Sequence, residues 1–571
     1  MTKVRSLVLR RMRAPLLLLI VSYAISILGF VLIPGIDENG QRWNMTFLDA
    51  IYFVSYMATT IGFGELPQAF NPAQRIWTIV AIYLTVITWL YAIGSILALV
   101  QNQRLKRAIE EGRFKRSVSR LGEPFYIICG YGETASLLVH SLDHRGIRTV
   151  VIDNEQERID DLSLSDLQQY VPSLVADASD GEALNIAGLH HKKCKGVVAL
   201  TDSDHVNLKI AITCRLLVPD IEVICRAEST DTEANMKSFK TDHIINPFDR
   251  FAARLAMALH SPSMYIIHQW LTGIPGSSLS DPAIPSHGMW VLCGYGRFGK
   301  AVHRFLTFEG DTTRIVEADH ENTQPPEGSI KGRGTEAVTL RRAGIKEAVG
   351  IVAGTDNDTN NLSIIFTAKE QKEGLFLVAR QNRRGNEALF KKAGVDIIME
   401  RSDIIAHEIL ALIITPTLNE FLAEVRHHGN EWTCELASRL IAVVGDTTPD
   451  TWTITINDEN TPAVSERTGP NRSVNVHDLL VDHRNIEEMM PGMVLMINRG
   501  EQNLILPKDD FELNNEDQVL FCAREGVRQH VQWTLSNRNV LRYVQTGEVT
   551  PDGSVWRWLH QRKRAREAAA S

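Results

Sequence analysis

Two long, uncharged apolar stretches, Ala14 to Ile33 and Ile76 to Val100, constrain this chain more than any other feature. Each has the length an α-helix needs to cross a bilayer, about 20 residues. Lys3, Arg5, Arg10, Arg11 and Arg13 precede the first, and Arg104, Lys106, Arg107, Arg113, Lys115 and Arg116 follow the second. Positively charged flanks stay on the cytoplasmic side. Both termini are therefore expected in the cytoplasm, in a multi-pass protein of the cell (inner) membrane. The first stretch is longer than a signal-peptide core and lacks a small-residue cleavage site, so it reads as an anchor. Pro34 to Asn71 then lie outside or dip back into the membrane. Within them Phe47, Ile51, Val54 and Met57 recur at helical spacing, with Asp49 in the first turn. That predicts a short helix over Thr46 to Thr59.

Thr60-Ile61-Gly62-Phe63-Gly64-Glu65 follows that helix directly. Glycine takes positive φ at no steric cost, so alternating glycines let successive carbonyls point one way into a narrow channel. Irregular backbone at membrane depth is tolerated only where protein shields it or where it lines a watery cavity. The hexapeptide resembles the TVGYGD filter of potassium channels, whose carbonyl rings replace the hydration shell of the ion. The resemblance implies K+ held at Thr60, Ile61, Gly62 and Phe63, four chains around one axis, and a pore helix whose C-terminal dipole end faces the cation. Ile61 for valine is nearly neutral. Phe63 for tyrosine loses a hydroxyl that braces the filter, and Glu65 for aspartate lengthens the arm. The alternative is a Gly-rich re-entrant turn of another transporter. In such channels the inner helix bends at a glycine near the place of Gly94. Leu97, with Leu99 or Val100, falls a turn lower, where a hydrophobic constriction could shut the pore. The plainer readings are close helix packing at Gly94 and lipid-facing leucines.

After Arg120 the sequence alternates strands and helices. The apolar run Phe125–Cys129 leads into Gly130-Tyr131-Gly132-Glu133-Thr134-Ala135, and a second strand ends in Asp153. This is the start of a doubly wound nucleotide fold, with glycines that admit a pyrophosphate at a helix N-terminus and an acid about 20 residues on. The shape returns as Trp290–Cys293, then Gly294-Tyr295-Gly296-Arg297-Phe298-Gly299, with Glu317 and Asp319 after the next strand. Thr201-Asp202-Ser203-Asp204 with Asn207 matches Thr355-Asp356-Asn357-Asp358 with Asn361, and Arg226 matches Arg380. An ordered series of this kind means two tandem copies. They differ in detail: Asp177 corresponds to Arg333, and Glu133 to Arg297. Arginine favours an anion, so the first copy reads as poorer for a phosphate. A scaffold with an empty cleft is the plain alternative for each.

The Gly loop, the distal acid, Thr-Asp-x-Asp-x-x-Asn and the strand-end arginine resemble the RCK (regulator of K+ conductance, KTN or TrkA-N) domain over roughly Glu123 to Leu535. With the filter, they imply a two-span potassium channel, not an enzyme. They also imply NAD(H) or an adenine nucleotide near Gly130, Gly132, Ala135, Asp153, Asp177, Thr201 and Asp202, and near Gly294, Gly296, Arg297, Gly299, Glu317, Asp319, Thr355 and Asp356. Four chains would supply eight RCK domains in a cytoplasmic gating ring. The expected fold is a helical two-span pore domain, two α/β Rossmann-like domains and a small α+β C-terminal lobe. The expected bounds are 1–100 for the pore, 101–122 for a linker, 123–285 and 286–416 for the two copies, 417–535 for the lobe and 536–571 for a tail. Phe248 to Leu271 reads as one long helix that in this family swaps across a dimer interface. Leu440–Val444, Met493–Ile497 and Asp517–Phe521 read as strands. Asp458, Glu459, Asp509, Asp510 and Glu512 could hold calcium, although a solvated acidic surface is the commoner outcome. A membrane-anchored NAD-dependent dehydrogenase is the competing function, but no acid/base set lies beside either loop. The net charge of −8 argues against nucleic acid as a partner. None of the seven cysteines forms a CxxC pair, which argues against a disulfide framework or a zinc site.

Overall fold

The computed structural model describes residues 2–36, 40–65, 68–273, 276, 283–445, 447–465, 473–500 and 502–549. The side chains of Lys3 to Arg11, Val100 and Arg104, the residues Ile274 and Pro275, and the tail from residue 550 lie outside the described residues. The chain forms two compact units, one of residues 1–122 with the short pieces 172–174 and 184–191, the other of the rest.

The first unit contains the helices α1 (Thr2–Leu32), α2 (Phe47–Ala58), α3 (Pro72–Val100) and α4 (Gln103–Ser119). Met12–Leu32 and Pro72–Leu99 are long and apolar enough to cross a membrane. Their apolar surface is largely exposed, as in Leu17, Ile20, Ile79 and Tyr83, which suits lipid as the solvent. α3 begins with Pro72 and a reciprocal Asn71–Gln74 capping box, a device that satisfies two otherwise orphaned N–H groups. A Cβ on Gly29 would sit 2.0 Å from the Trp77 ring, and Trp77 Nε1 donates to the Ser26 carbonyl at 3.1 Å. Close packing of α1 on α3 thus occurs at Gly29. At Gly94 a Cβ would meet nothing within 4 Å.

The chain holds two six-stranded sheets of parallel pairs, each with its first strand central and the spatial order 3-2-1-4-5-6. This is the doubly wound arrangement, which opens a crevice where the order reverses. Cys129 lies opposite Ile152 and Ala199, and Cys293 opposite Val316 and Ala353. The two copies therefore place their Gly loops at the same point of the sheet. Their central strands are continuous apolar runs because helices cover both faces.

The single helix expected over Phe248 to Leu271 is two, Pro247–His260 and Pro262–Thr272, separated at Ser261. Pro262 cannot donate to the preceding turn and ends the first helix. The second copy repeats the break, with Arg401–Ile414 and Pro416–Val425 bent by 106°. Phe248, Phe251, Leu255 and Leu259 of the first copy enter the core around Trp290, Leu292 and Phe298 of the second. Ile405, Ala406 and Ile409 of the second copy enter the core around Leu138, Val139 and Leu142 of the first. The copies exchange crossover helices within one chain.

The C-terminal lobe is a four-stranded antiparallel sheet in the order Asp450–Thr455, Gln518–Ala523, Gly492–Arg499, Gln502–Ile505. The strand expected at Leu440–Val444 is instead the end of the helix Asn430–Val444. Leu436, Leu440 and Val444 recur every fourth residue and bury one face against Met264, Ile267 and Leu271. A short apolar run does not by itself separate a strand from a buried helical turn.

Candidate functional site

In the first unit, Thr46 caps α2 by accepting from Asp49 N at 3.2 Å, and the hexapeptide follows the last turn. Thr60, Gly62 and Gly64 have φ of +60°, +63° and +77°. Left-handed residues thus alternate with Ile61 and Phe63. A β-branched residue at positive φ is a genuine outlier, and such strain marks sites that the surroundings over-determine. Thr60 N donates to Met57 O at 3.1 Å and Ile61 N to Tyr56 O at 3.0 Å. Tyr56 Oη donates to the Glu65 carbonyl at 2.7 Å, and Tyr52 Oη to Glu65 Oε2 at 2.9 Å. Two hydroxyls one turn apart on α2 thus hold Glu65, two residues beyond Phe63. The sequence reading missed both, although their i, i+4 spacing puts them on one face. Gly94 and Leu97 lie late in α3, three residues apart on an unbroken helix, and Leu97 is 55% exposed.

In the second unit, Gly130 and Gly294 turn their loops at φ of +92° and +99°. Gly132 and Gly296 cap the next helices without a side-chain bond, leaving N–H groups that suit an anion. A Cβ on Gly299 would lie 2.0 Å from the Gly294 carbonyl oxygen; in the first copy this place holds the fully buried Ala135. Asp153 Oδ2 accepts from Tyr131 N at 2.6 Å, and Oδ1 from Glu155 N at 2.8 Å. Glu317 repeats this with Tyr295 N at 2.5 Å and Asp319 N at 2.8 Å. Asp153 and Glu317 are both buried and fasten the Gly loops. Asp319 caps the short helix His320–Thr323.

The Thr-Asp-x-Asp-x-x-Asn motif is a clamp. Asn207 Oδ1 accepts from Thr201 N at 3.0 Å and Thr201 Oγ1 at 2.7 Å, while its Nδ2 donates to the carbonyls of Thr201 and Arg226. Asn361 does the same for Thr355 and Arg380. Asp202 stays at the surface and pairs with Arg158 at 3.2 Å and Arg226 at 3.5 Å; Asp356 is exposed. Asp177 closes a turn on Ser179, whose hydrogen bonds hold its carboxyl below the usual range. Its counterpart Arg333 is exposed.

A cavity of about 530 Å³ opens at the first Gly loop, walled by Tyr131, Gly132, Arg158 and Arg226 and, from the second copy, by Asn382, Arg401 and Ser402. Three guanidiniums reach a cleft expected to disfavour phosphate because of Glu133. Arg226 is 4% exposed, and its buried Nε lacks a hydrogen-bond partner among the described residues. Arg297, expected to serve an anion at the second loop, instead pairs with Glu228 at 3.0 Å. Glu228 also receives Arg226 at 2.5 Å and Arg401 at 2.7 Å. Burial pushes its carboxyl up, but Arg226, Arg401 and Arg297 outweigh burial and leave it below the ordinary glutamate range. One buried carboxylate thus joins the first cleft, the second Gly loop and a crossover helix. Glu228 carried no motif signal in the sequence.

Burial pushes the Cys194, Cys214 and Cys293 thiols up to about 12, which disfavours the thiolate. The acidic residues considered for calcium do not form a site: no group of three or more His, Cys, Asp or Glu is placed to hold a metal among the described residues.

Residues 16–102 match the family described as "Ion channel", and residues 126–247 and 290–400 each match the TrkA-N domain. An uncharacterized protein of Methanothermus fervidus is 27% identical over 230 residues, which is 40% of this chain and 35% of that protein. Potassium channel protein 1 of Methanocaldococcus jannaschii is 24% identical over 209 residues, 36% of this chain and 60% of that protein. The chain thus spans between about a third and three-fifths of the length of these relatives. The solved structure "GsuK channel bound to NAD" is 15% identical with a TM-score of 0.46, covering 93% of this chain and 99% of that one. The chain thus carries an ion-channel segment on two membrane-length helices, followed by two TrkA-N domains.

Proposed function

We propose that four copies of this chain surround one pore and pass potassium selectively, with Thr60 to Glu65 as the filter and both termini in the cytoplasm. The observation that carries this reading is the alternation of positive φ at Thr60, Gly62 and Gly64. That backbone turns successive carbonyls the same way, the arrangement that replaces an ion's water. The RCK pair regulates conduction by binding an adenine nucleotide or NAD-type dinucleotide in the first cleft. A cleft of this volume, a helix N-terminus without a side-chain cap and the guanidiniums of Arg158, Arg226 and Arg401 support a phosphate-bearing ligand there. Whichever ring shape the ligand prefers is the shape it stabilises.

The test is flux through the full chain in liposomes. Potassium should pass far faster than sodium, and Gly62→Ala should abolish the flux while the assembly keeps its size. Alanine at φ +63° costs about 1–2 kcal/mol in each subunit. Equal potassium and sodium flux, or full flux in the alanine variant, refutes the filter. NAD+, NADH, ATP and ADP applied in turn to a bilayer recording test the nucleotide reading; no response to any of them refutes it.

A further inference from the structure

A separate cavity of about 400 Å³ lies where the crossover helices of the two copies meet. Arg250 and Arg254 reach it from the helix Pro247–His260, and Arg426 from the end of Pro416–Val425. The carboxylate facing them is Glu408, 3.4 Å from Arg250 Nε and 3.8 Å from an Arg254 nitrogen. Neither distance is that of a charge-assisted hydrogen bond, which falls near 2.7–2.9 Å. Glu420, on the same wall, accepts instead from Asn498 Nδ2 at 3.0 Å. Asn419 also lines the cavity, and its buried Nδ2 has no partner among the described residues. His268 completes the polar side. Burial, then Arg254, Arg426 and Arg250, push it well below its ordinary value, so it is neutral and does not offset the arginines. The opposite wall is apolar, with Met257, Leu412 and Leu422.

Three guanidiniums and a buried amide N–H thus share the cavity with two carboxylates, the loosely placed Glu408 and Glu420, which Asn498 holds. The cavity has positive charge and donors in excess and acceptors in deficit. A buried donor finds a partner in protein, water or ligand, and like charges gathered in a partly dry site favour an anion. We propose that this cavity is a second anion site, distinct from the Gly-loop clefts. It takes a small molecule with a multivalent oxyanion group, phosphate or carboxylate, on Arg250, Arg254 and Arg426, and its body against Met257, Leu412 and Leu422. Because the arginines come from different copies, an occupant ties one crossover to the other.

The test is the unfolding midpoint of the full chain in detergent, titrated with pyrophosphate and with citrate against chloride at matched ionic strength. A saturable rise is expected with one or both, and which probe acts tells phosphate from carboxylate. Arg254→Gln with Arg426→Gln should weaken the half-saturation concentration at least about tenfold, the weight of one charge-assisted hydrogen bond. Glu408→Gln removes the competing carboxylate and should tighten it by about tenfold, a gain that a misfolded variant does not give. Arg158→Gln, in the first Gly-loop cleft, should leave it unchanged. No saturable rise with either probe overturns the proposal. So does a rise indifferent to Arg254, Arg426 and Glu408, and so does one lost in Arg158→Gln alone, which would place the anion in the Gly-loop cleft.

Discussion

Replacing Glu228 with glutamine should destabilise the nucleotide-fold unit by about 3–5 kcal/mol, the cost of leaving one member of a buried ion pair alone. The magnitude rests on Arg226, whose side chain is 5% exposed and 2.5 Å from the Glu228 carboxylate. Without Glu228, Arg226 keeps only Asp202, at 3.5 Å, among the described residues. Arg401 and Arg297, 32% and 57% exposed, recover solvent and add only about 0–1 kcal/mol each. The folded-state carboxyl lies below its ordinary value near 4.5. Its stabilisation is therefore present above that value and lost as the pH falls through the lowered one, so parent and variant should converge in acid. The same variant frees Arg226 and Arg401 to face the first cleft, and ADP should bind it more tightly than the parent. At a hundred times its Kd, ADP returns about 2.7 kcal/mol. Urea unfolding of the full chain, followed by the fluorescence of the buried Trp290 and Trp452, measures both effects. A variant within about 1 kcal/mol of the parent without ADP, or an equal response of the two to ADP, would show that Glu228 does not organise this cluster.

Gly299→Ala puts a methyl 2.0 Å from the Gly294 oxygen. It should lower stability by about 1–3 kcal/mol and leave the potassium-to-sodium flux ratio alone; a changed ratio would contradict separate filter and nucleotide units. Burial, then Asp403, pushes the Glu400 carboxyl up to about 7, with Arg384 opposing and Glu387 adding to the rise. Between its ordinary 4.5 and 7 the native state holds the extra proton, so stability falls as pH rises. Glu400→Gln escapes this, and its unfolding midpoint should exceed the parent's at pH 8 and match it at pH 4; equal midpoints at pH 8 count against the assignment. Tyr56→Phe removes the hydroxyl that holds Glu65 O at 2.7 Å. A net loss of about 1 kcal/mol should make current decay faster under steady potassium, and an unchanged decay would show that this bond does not support the hexapeptide.

The two spans, the short helix and both Gly loops were legible because each is a local pattern: uncharged length, helical spacing, glycine where φ must be positive. The tandem repeat was legible because the Thr201–Asn207 and Thr355–Asn361 clamps need the same residues at the same spacing. What escaped depends on residues far apart in sequence. Glu228 meets Arg401 across 173 positions, and nothing near either residue announces the other. The first cleft looked poor in its own segment because Arg401, Asn382 and Ser402 arrive from the second copy. Leu440–Val444 was misread because five apolar residues fit either period, and only the partner face at Met264 and Leu271 selects the helix.

Gating then becomes a question of energy and of stiffness. A ligand moves the pore only by the difference in its affinity for two shapes, typically about 1–3 kcal/mol per site. Turning a 1:99 population into 99:1 takes about 5.5 kcal/mol. One first-cleft ligand falls short, whereas four acting on the proposed fourfold pore reach it at about 1.4 kcal/mol each. That sum is useful only if the lever does not dissipate it. α3 and α4 are separated by Gln101 and Asn102 alone, and both amides are engaged, Gln101 N on Leu97 O at 3.0 Å and Asn102 N on Leu99 O at 3.2 Å. The 17 residues of α4 make a rod of about 25 Å, joined to the inner helix by a hydrogen-bonded corner. Strain arriving through it meets α3 first at its last turns. Gly94 stands there, and a Cβ on it would meet nothing within 4 Å, so a hinge proposed at this position costs little packing.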